Sequence, residues 1–148
     1  MSKRISTTKK AYLAGFLDGD GSIYVRLKPN KTYKFGFQVS PYIILFQSIK
    51  EKENFNKICL ITDCGYVRER KDGILEYTIN RKKEIIRFLE FVEPYLILKK
   101  KQAKLMIKIL NKKEKVKNQN DFKKLMELVE HFRILNYSKK RKRHNLTP

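Results

Sequence analysis

Between Lys10 and Arg26 the only charged residues are two acids, Asp18 and Asp20, at the end of a short apolar stretch. If that stretch is a helix, its C-terminus already carries partial negative charge, and an acid there costs about 0.3–1 kcal/mol unless a cation offsets it. A divalent metal is the natural compensator. Carboxylate, backbone carbonyl and water suit Mg²⁺ or Ca²⁺, and Gly19 and Gly21 leave room for a phosphate to approach. Taken alone, the segment reads as an ordinary Asp-Gly turn capped by one of these acids. The converse oddity is Lys99-Lys100-Lys101 at the expected start of a helix, where cations are disfavoured. Phosphate contact or transition-state charge would account for it, and a solvated, fraying helix start is the better account of Lys100 and Lys101.

A second group of residues has the chemistry of base recognition. Tyr24, Arg26, Lys28, Asn30, Gln38, Ser40, Tyr66, Arg68, Arg70 and Glu76 fall on the outward positions of two alternating hairpins. Arg pairs with guanine, Gln or Asn with adenine, and an acid with cytosine, while the cations also hold phosphates. Thr32 and Tyr33 in the first turn, and Thr78 beside Glu76, complete the candidate surface. Any antiparallel sheet with one solvated face alternates in this way, but here the face also carries a basic excess. A ribbon of antiparallel strands fits the DNA major groove.

The whole chain supports that partner. Its 148 residues hold 35 Lys+Arg against 15 Asp+Glu, a net charge of +20, and the basic excess occurs in both halves. Such a charge attracts polyanions, while nine Phe and eight Tyr provide for a folded core. One domain is expected, residues 1–137, with a basic tail at 138–148. No stretch approaches the roughly 18 apolar residues of a membrane span, and the N-terminus lacks a signal-peptide apolar region, so an intracellular protein without a membrane partner is expected. His131 and His144 are the only histidines, which argues against a histidine base, and Cys59 and Cys64 make neither a disulfide framework nor a zinc pattern. Cys59 reads as a core residue and Cys64 as a neighbour of a turn. Lys-, Ile- and Asn-rich usage points to an AT-rich genome such as that of a chloroplast or mitochondrion.

The elements that must position these residues follow from periodicity. Ser6, Thr7 and Thr8 can cap a helix carrying Tyr12, Leu13, Phe16 and Leu17 that stops at residues 19–21. Ile23, Val25 and Leu27 alternate up to the turn at Pro29-Asn30. Phe35, Phe37 and Val39 then point inward, before an apolar run from Tyr42 to Phe46 in which Pro41 marks a bulge or edge. A helix is expected over residues 50–61, and a second hairpin over 65–70 and 75–79 around Lys71-Asp72-Gly73. Stripes led by Ile85, by Ala103 and by Phe122 make three further helices, the first ended by Pro94. Gly15 is unusual inside a helix, where it costs about 1 kcal/mol relative to Ala. Close contact with the same helix of a second copy would justify it, as would accommodation of a neighbouring core side chain.

Leu13-Ala-Gly-Phe-Leu-Asp-Gly-Asp-Gly21 resembles the motif of the LAGLIDADG homing endonucleases, in their single-motif, homodimeric form. The resemblance extends to Lys28-Pro-Asn, Tyr33-Lys-Phe, Gln38-Val-Ser, Gln47, Gly65-Tyr-Val-Arg-Glu-Arg70 and Pro94 through Ala103, and covers the chain to about residue 136. It implies an α+β fold, a saddle-shaped αββαββα protomer with an antiparallel sheet and extra C-terminal helices. It also implies a homodimer joined by the motif helices through Tyr12, Leu13, Gly15 and Phe16. Asp20, with the carbonyl of Gly19, would bind the catalytic metal, and Gln47 and Lys99 would complete the active site. Glu51, between Lys50 and Lys52, stands where the family often has a basic residue. The implied activity is Mg²⁺-dependent double-strand cleavage of a long pseudo-palindromic DNA site, leaving short 3′ overhangs and serving intron mobility. Mn²⁺ would substitute, Ca²⁺ would support binding without cleavage, and no small-molecule cofactor is implied. An RNA-splicing maturase and a non-catalytic nucleic-acid-binding protein are the alternatives on the same scaffold.

Overall fold

A computed structural model describes residues 4–136; the basic tail expected at 138–148, and His144 within it, lie outside them. Ser6 accepts a hydrogen bond from the Lys9 amide and so starts helix α1, Thr7–Asp20, which passes directly into strand β1, Gly21–Pro29. Strand β2 spans Phe37–Ser48, helix α2 Lys52–Cys59, strand β3 Tyr66–Glu69, strand β4 Ile74–Ile79 and helix α3 Lys82–Val92. Helices α4, Lys100–Lys113, and α5, Gln119–Asn136, follow. The order is the expected αββαββα with two C-terminal helices, and the four strands form one antiparallel sheet in the order β1-β2-β4-β3.

The core forms where the alternating strand residues meet the helical stripes. Ile23 and Val25 of β1, Val39, Ile43 and Leu45 of β2, and Leu75, Tyr77 and Ile79 of β4 bury one face of the sheet with Leu13 and Leu17 of α1 and Phe88 of α3. Removing such large apolar side chains from water supplies the main stabilisation. Tyr77 is buried, yet its hydroxyl is satisfied by Thr62 and the Cys64 carbonyl, while Arg87 holds the Thr62 carbonyl at 2.6 Å. Cys59 is a core residue, and burial pushes its thiol up to about 12. Cys64 sits half-buried just before Gly65.

Several boundaries differ from the sequence reading. Pro41 introduces no bulge: the β1–β2 register runs unbroken through Val25 opposite Pro41. The edge reading holds, because β4 begins its pairing with β2 only at Ile43, leaving that side of Pro41 open. Phe35 lies in the loop before β2, and Phe37 is largely exposed, since both rings lean on Phe122 of α5, with centroids 5.0 and 6.4 Å away. The helix expected over 50–61 is a 3-10 turn, Ile49–Glu51, followed by the shorter α2.

Gly65 introduces β3 with φ +76°, and a Cβ there would lie 2.6 Å from the Thr78 carbonyl and 2.7 Å from the Tyr77 ring. Both the left-handed backbone and the close approach require glycine. Gly65→Ala should therefore destabilise the protein by at least ~2 kcal/mol, the combined cost of backbone strain and overpacking, as read from urea denaturation.

Candidate active site and nucleic-acid interface

Helix α1 ends where β1 begins, and the two acids of this junction have different fates. Asp18 is half-buried and turned toward the segment that precedes α4. Its Oδ2 accepts from the amides of Ile97 and Leu98 at 2.8 and 3.1 Å, and its Oδ1 from the amide of Lys99 at 3.0 Å. The Lys99 ammonium returns to the main-chain carbonyl of Asp18 at 2.8 Å. The two sequence oddities thus compensate each other: the Asp18 carboxylate meets the amides that precede α4, and the Lys99 ammonium meets a carbonyl at the end of α1.

Asp20 is exposed and forms no hydrogen bond or ion pair among the described residues. Gly19 beside it has open space where a Cβ would stand. Gln47 is reached by register: Gly21 is opposite Leu45, so Gln47 lies on β2 just past the α1–β1 junction, on the same face as Leu45. Its side chain accepts from the Ser48 amide at 2.8 Å. No group of three or more His, Cys, Asp or Glu side chains is assembled among the described residues. One free carboxylate with a nearby carbonyl fits a hard cation that keeps several waters and completes its shell from substrate phosphate.

The open face of the sheet carries the recognition residues in rows set by the register. Arg26 pairs with Ser40, Lys28 with Gln38, and Tyr24 with Tyr42, the last two rings stacked at 5.2 Å. Burial raises the Tyr24 hydroxyl pKa. Arg26 lies over the Tyr42 ring at 5.9 Å. Arg68 donates to Glu76 at 2.8 Å, which strengthens the hold on its proton, and Arg70 shares that carboxylate at 3.6 Å while pairing with Asp72 at 2.6 Å. Asn30 turns inward on its own loop, accepting from the Thr32 amide and hydroxyl, and Tyr33 is exposed beside it. Tyr66 is exposed at the start of β3.

Two expected residues are placed otherwise. Thr78 lies on the open face but is only 6% exposed, between Ile44 and Tyr66, so it supports its neighbours rather than reaching a ligand. Leu13, expected at a dimer interface, is fully buried in the protomer's own core because helical spacing groups it with Leu17. Tyr12 and Gly15 are exposed on the other side of α1, with Phe16 half-buried against Phe55. Gly15 has nothing within 4 Å of where its Cβ would be, so no core side chain of this protomer explains it.

The sequence reading also missed residues. Tyr42 and Phe46 continue the outward parity of Gln38 and Ser40, while Ile44 between them shares that face but is only 7% exposed; the signal was there, hidden by the apolar character of the run from Tyr42. Gln102, Arg133 and Asn136 of the C-terminal helices line, together with Tyr24, Arg70 and Lys99, a groove of about 740 Å³ beside the open face. No periodicity in the sequence could have brought them there.

The model of the LAGLIDADG endonuclease family matches residues 13–110. The chain belongs to this family. It is 38% identical over 132 residues to DNA endonuclease I-CreI of Chlamydomonas reinhardtii, a match covering 88% of this chain and 80% of that protein. It is 34% identical over 133 residues to DNA endonuclease I-CvuI of Chlorella vulgaris, covering 90% and 83%. The fold matches crystal structures of I-CvuI bound to DNA in the presence of Mg, with the DNA not cleaved, and of Ca, each with TM-score 0.83, 33% identity and coverage of 90% and 85%. An archaeal intron-encoded enzyme, I-Vdi141I, shares the fold at TM-score 0.78 and 22% identity. The chain thus shares both the sequence signature and the fold of the LAGLIDADG endonucleases.

On its open face Glu76 is the one counter-ion shared by Arg68 and Arg70. Glu76→Gln should lower the melting temperature at low salt by leaving two guanidinium groups opposed. The deficit should shrink as added salt approaches ~1 M and screens them, in melts compared with the unaltered protein.

Proposed function

We propose that two copies of this chain form a site-specific double-strand DNA endonuclease that hydrolyses a phosphodiester on each strand of a long, pseudo-palindromic site. The observation that carries the reading is the unpaired, exposed Asp20 at the end of the motif helix, one residue beyond Gly19 and tied through Asp18 to the Lys99 ammonium. A carboxylate and a cation held at one helix end suit phosphoryl chemistry, and the basic sheet face beside them suits a duplex.

Asp20, with the Gly19 carbonyl, would hold Mg²⁺ or Mn²⁺, and Ca²⁺ would support binding alone. A bound divalent ion supplies polarisation of the scissile phosphate and a more acidic water. Lys99 offsets charge developing on the phosphate oxygens, and Gln47 orients water or the lysine from β2. Arg26, Lys28, Gln38, Ser40, Arg68, Arg70 and Glu76, with Tyr24, Asn30, Thr32, Tyr33 and Tyr66, present the donors and acceptors that read base edges or grip phosphates. Of the two lysines flanking Glu51, Lys52 is paired with Glu69, which leaves Lys50 without an ion-pair partner among the described residues. It is the better candidate for the basic role expected near that position. An organellar host fits the Lys-, Ile- and Asn-rich composition of the sequence.

Two substitutions test the reading. Asp20→Asn should reduce cleavage by ~100-fold or more while Ca²⁺-supported binding of the same site persists, because it removes a metal ligand and none of the sheet's contacts. Cleavage at the unaltered rate would refute the assignment. Gly15→Leu should leave the protomer folded, since open space surrounds that position, yet shift sedimentation from dimer to monomer by separating the motif helices. An unperturbed dimer would place the two-fold axis elsewhere.

A further inference from the structure

Leu96 to Lys99 link the 3-10 turn Glu93–Tyr95 to α4; Leu96 is buried in the core, but the three residues after it have little of their own to hold them. Ile97 is 85% and Leu98 71% exposed, so neither side chain anchors them in the core. Lys99 caps α4 without any side-chain capping bond. What the linker offers is three successive amides, and all three converge on the carboxylate of Asp18 at 2.8, 3.1 and 3.0 Å. Successive amides of this kind form a concave cradle for an anion, and a carboxylate fills it with charge-assisted hydrogen bonds.

Resting on the nuclease reading above, we propose that Asp18 is the positioning residue for Lys99: its carboxylate sets the backbone from which the lysine projects, while its carbonyl receives the ammonium. Residue 18 thereby holds Lys99 by both ends. The contact spans 81 positions of sequence and locks the lysine to the helix that carries Asp20, two residues further on. With both oxygens of Asp18 engaged by amides, metal binding falls to Asp20. In a reaction that depends on placing a cation beside a phosphate, a displacement of about 1 Å can cost on the order of 100-fold in rate.

The test is a double-mutant cycle on the full-length protein, read by single-turnover cleavage of a DNA site that the protein cuts. Each rate is taken well below the variant's own melting temperature. Asp18→Asn replaces one of the two acceptor oxygens by a donor, which in either orientation faces at least one of the three amides, and Asp18→Ala serves should the Asn variant not fold. In the otherwise unaltered protein the substitution should slow cleavage ~10–100-fold, with Ca²⁺-supported DNA binding changed by less than about threefold. In a Lys99→Gln background the same substitution should change the residual rate by no more than about twofold, because the group it positions is gone. Equal losses in both backgrounds, or no loss in either, would overturn the positioning role and leave the nuclease reading standing. A tenfold or larger rise in the Mg²⁺ concentration needed for half-maximal rate would overturn it in favour of metal ligation. Lys99→Gln cleaving at the unaltered rate would remove the catalytic role of Lys99, and this proposal with it.

Discussion

The seating of the Asp18 carboxylate in the amides that precede α4 is the contact on which the site depends. Each partner would be unfavourable alone: an acid at the C-terminal end of a helix, and a start of a helix crowded by Lys99, Lys100 and Lys101. Brought together, each offsets the other's local penalty. The pairing joins the first helix of the fold to the fourth. It also leaves Asp20 as the acid of the junction with no protein partner among the described residues.

The sheet contributes a different kind of order. Because strand side chains alternate strictly, a single register places the polar residues of β1, and those of β2 and β4 other than Gln47 and Tyr77, on the open face and every large aliphatic residue of β1 beneath it. The rows are preorganised by contacts among themselves. Tyr24 stacks on Tyr42, Arg26 covers the same ring, and Glu76 holds two guanidinium groups from β3 and the residue after it. The far end of the first hairpin is braced from behind: Phe122 stacks on Phe35 and Phe37, Lys34 donates to the Lys117 carbonyl, and Lys113 to the Val39 carbonyl. Burial depresses the Lys113 pKa, as expected for an amine tucked against a sheet edge. The end of α4 and helix α5, both beyond the part of the chain that the family model matches, thus hold the hairpin that presents Lys28, Gln38 and Ser40.

Much of this was legible in the residues because it depends on local periodicity. Period-two alternation gave the strands and most of the open face, helical stripes gave five helices, and charge at the helix ends marked both Asp18-Asp20 and Lys99 as anomalous. The failures share a cause. Tyr42 and Phe46 look like core by composition, yet parity puts them outside, whereas Ile44 and Thr78 share that parity but are covered by neighbours. Leu13 has the right motif but the wrong side of its helix.

What the sequence by itself determined is the set of elements, the family motif and the presence of an acid and a lysine in electrostatically costly places, since propensity, alternation and helix-end charge act over a few residues. What only the tertiary structure decided is which acid is spent and which is free. By residue type alone Asp18 and Asp20 are equivalent, two acids around one glycine, and only the motif resemblance singles out Asp20. They diverge because the helix turns by about 100° per residue, so that residue 18 meets the amides of residues 97–99 while residue 20 meets solvent. That choice is made by a contact 81 positions away, which no local pattern encodes.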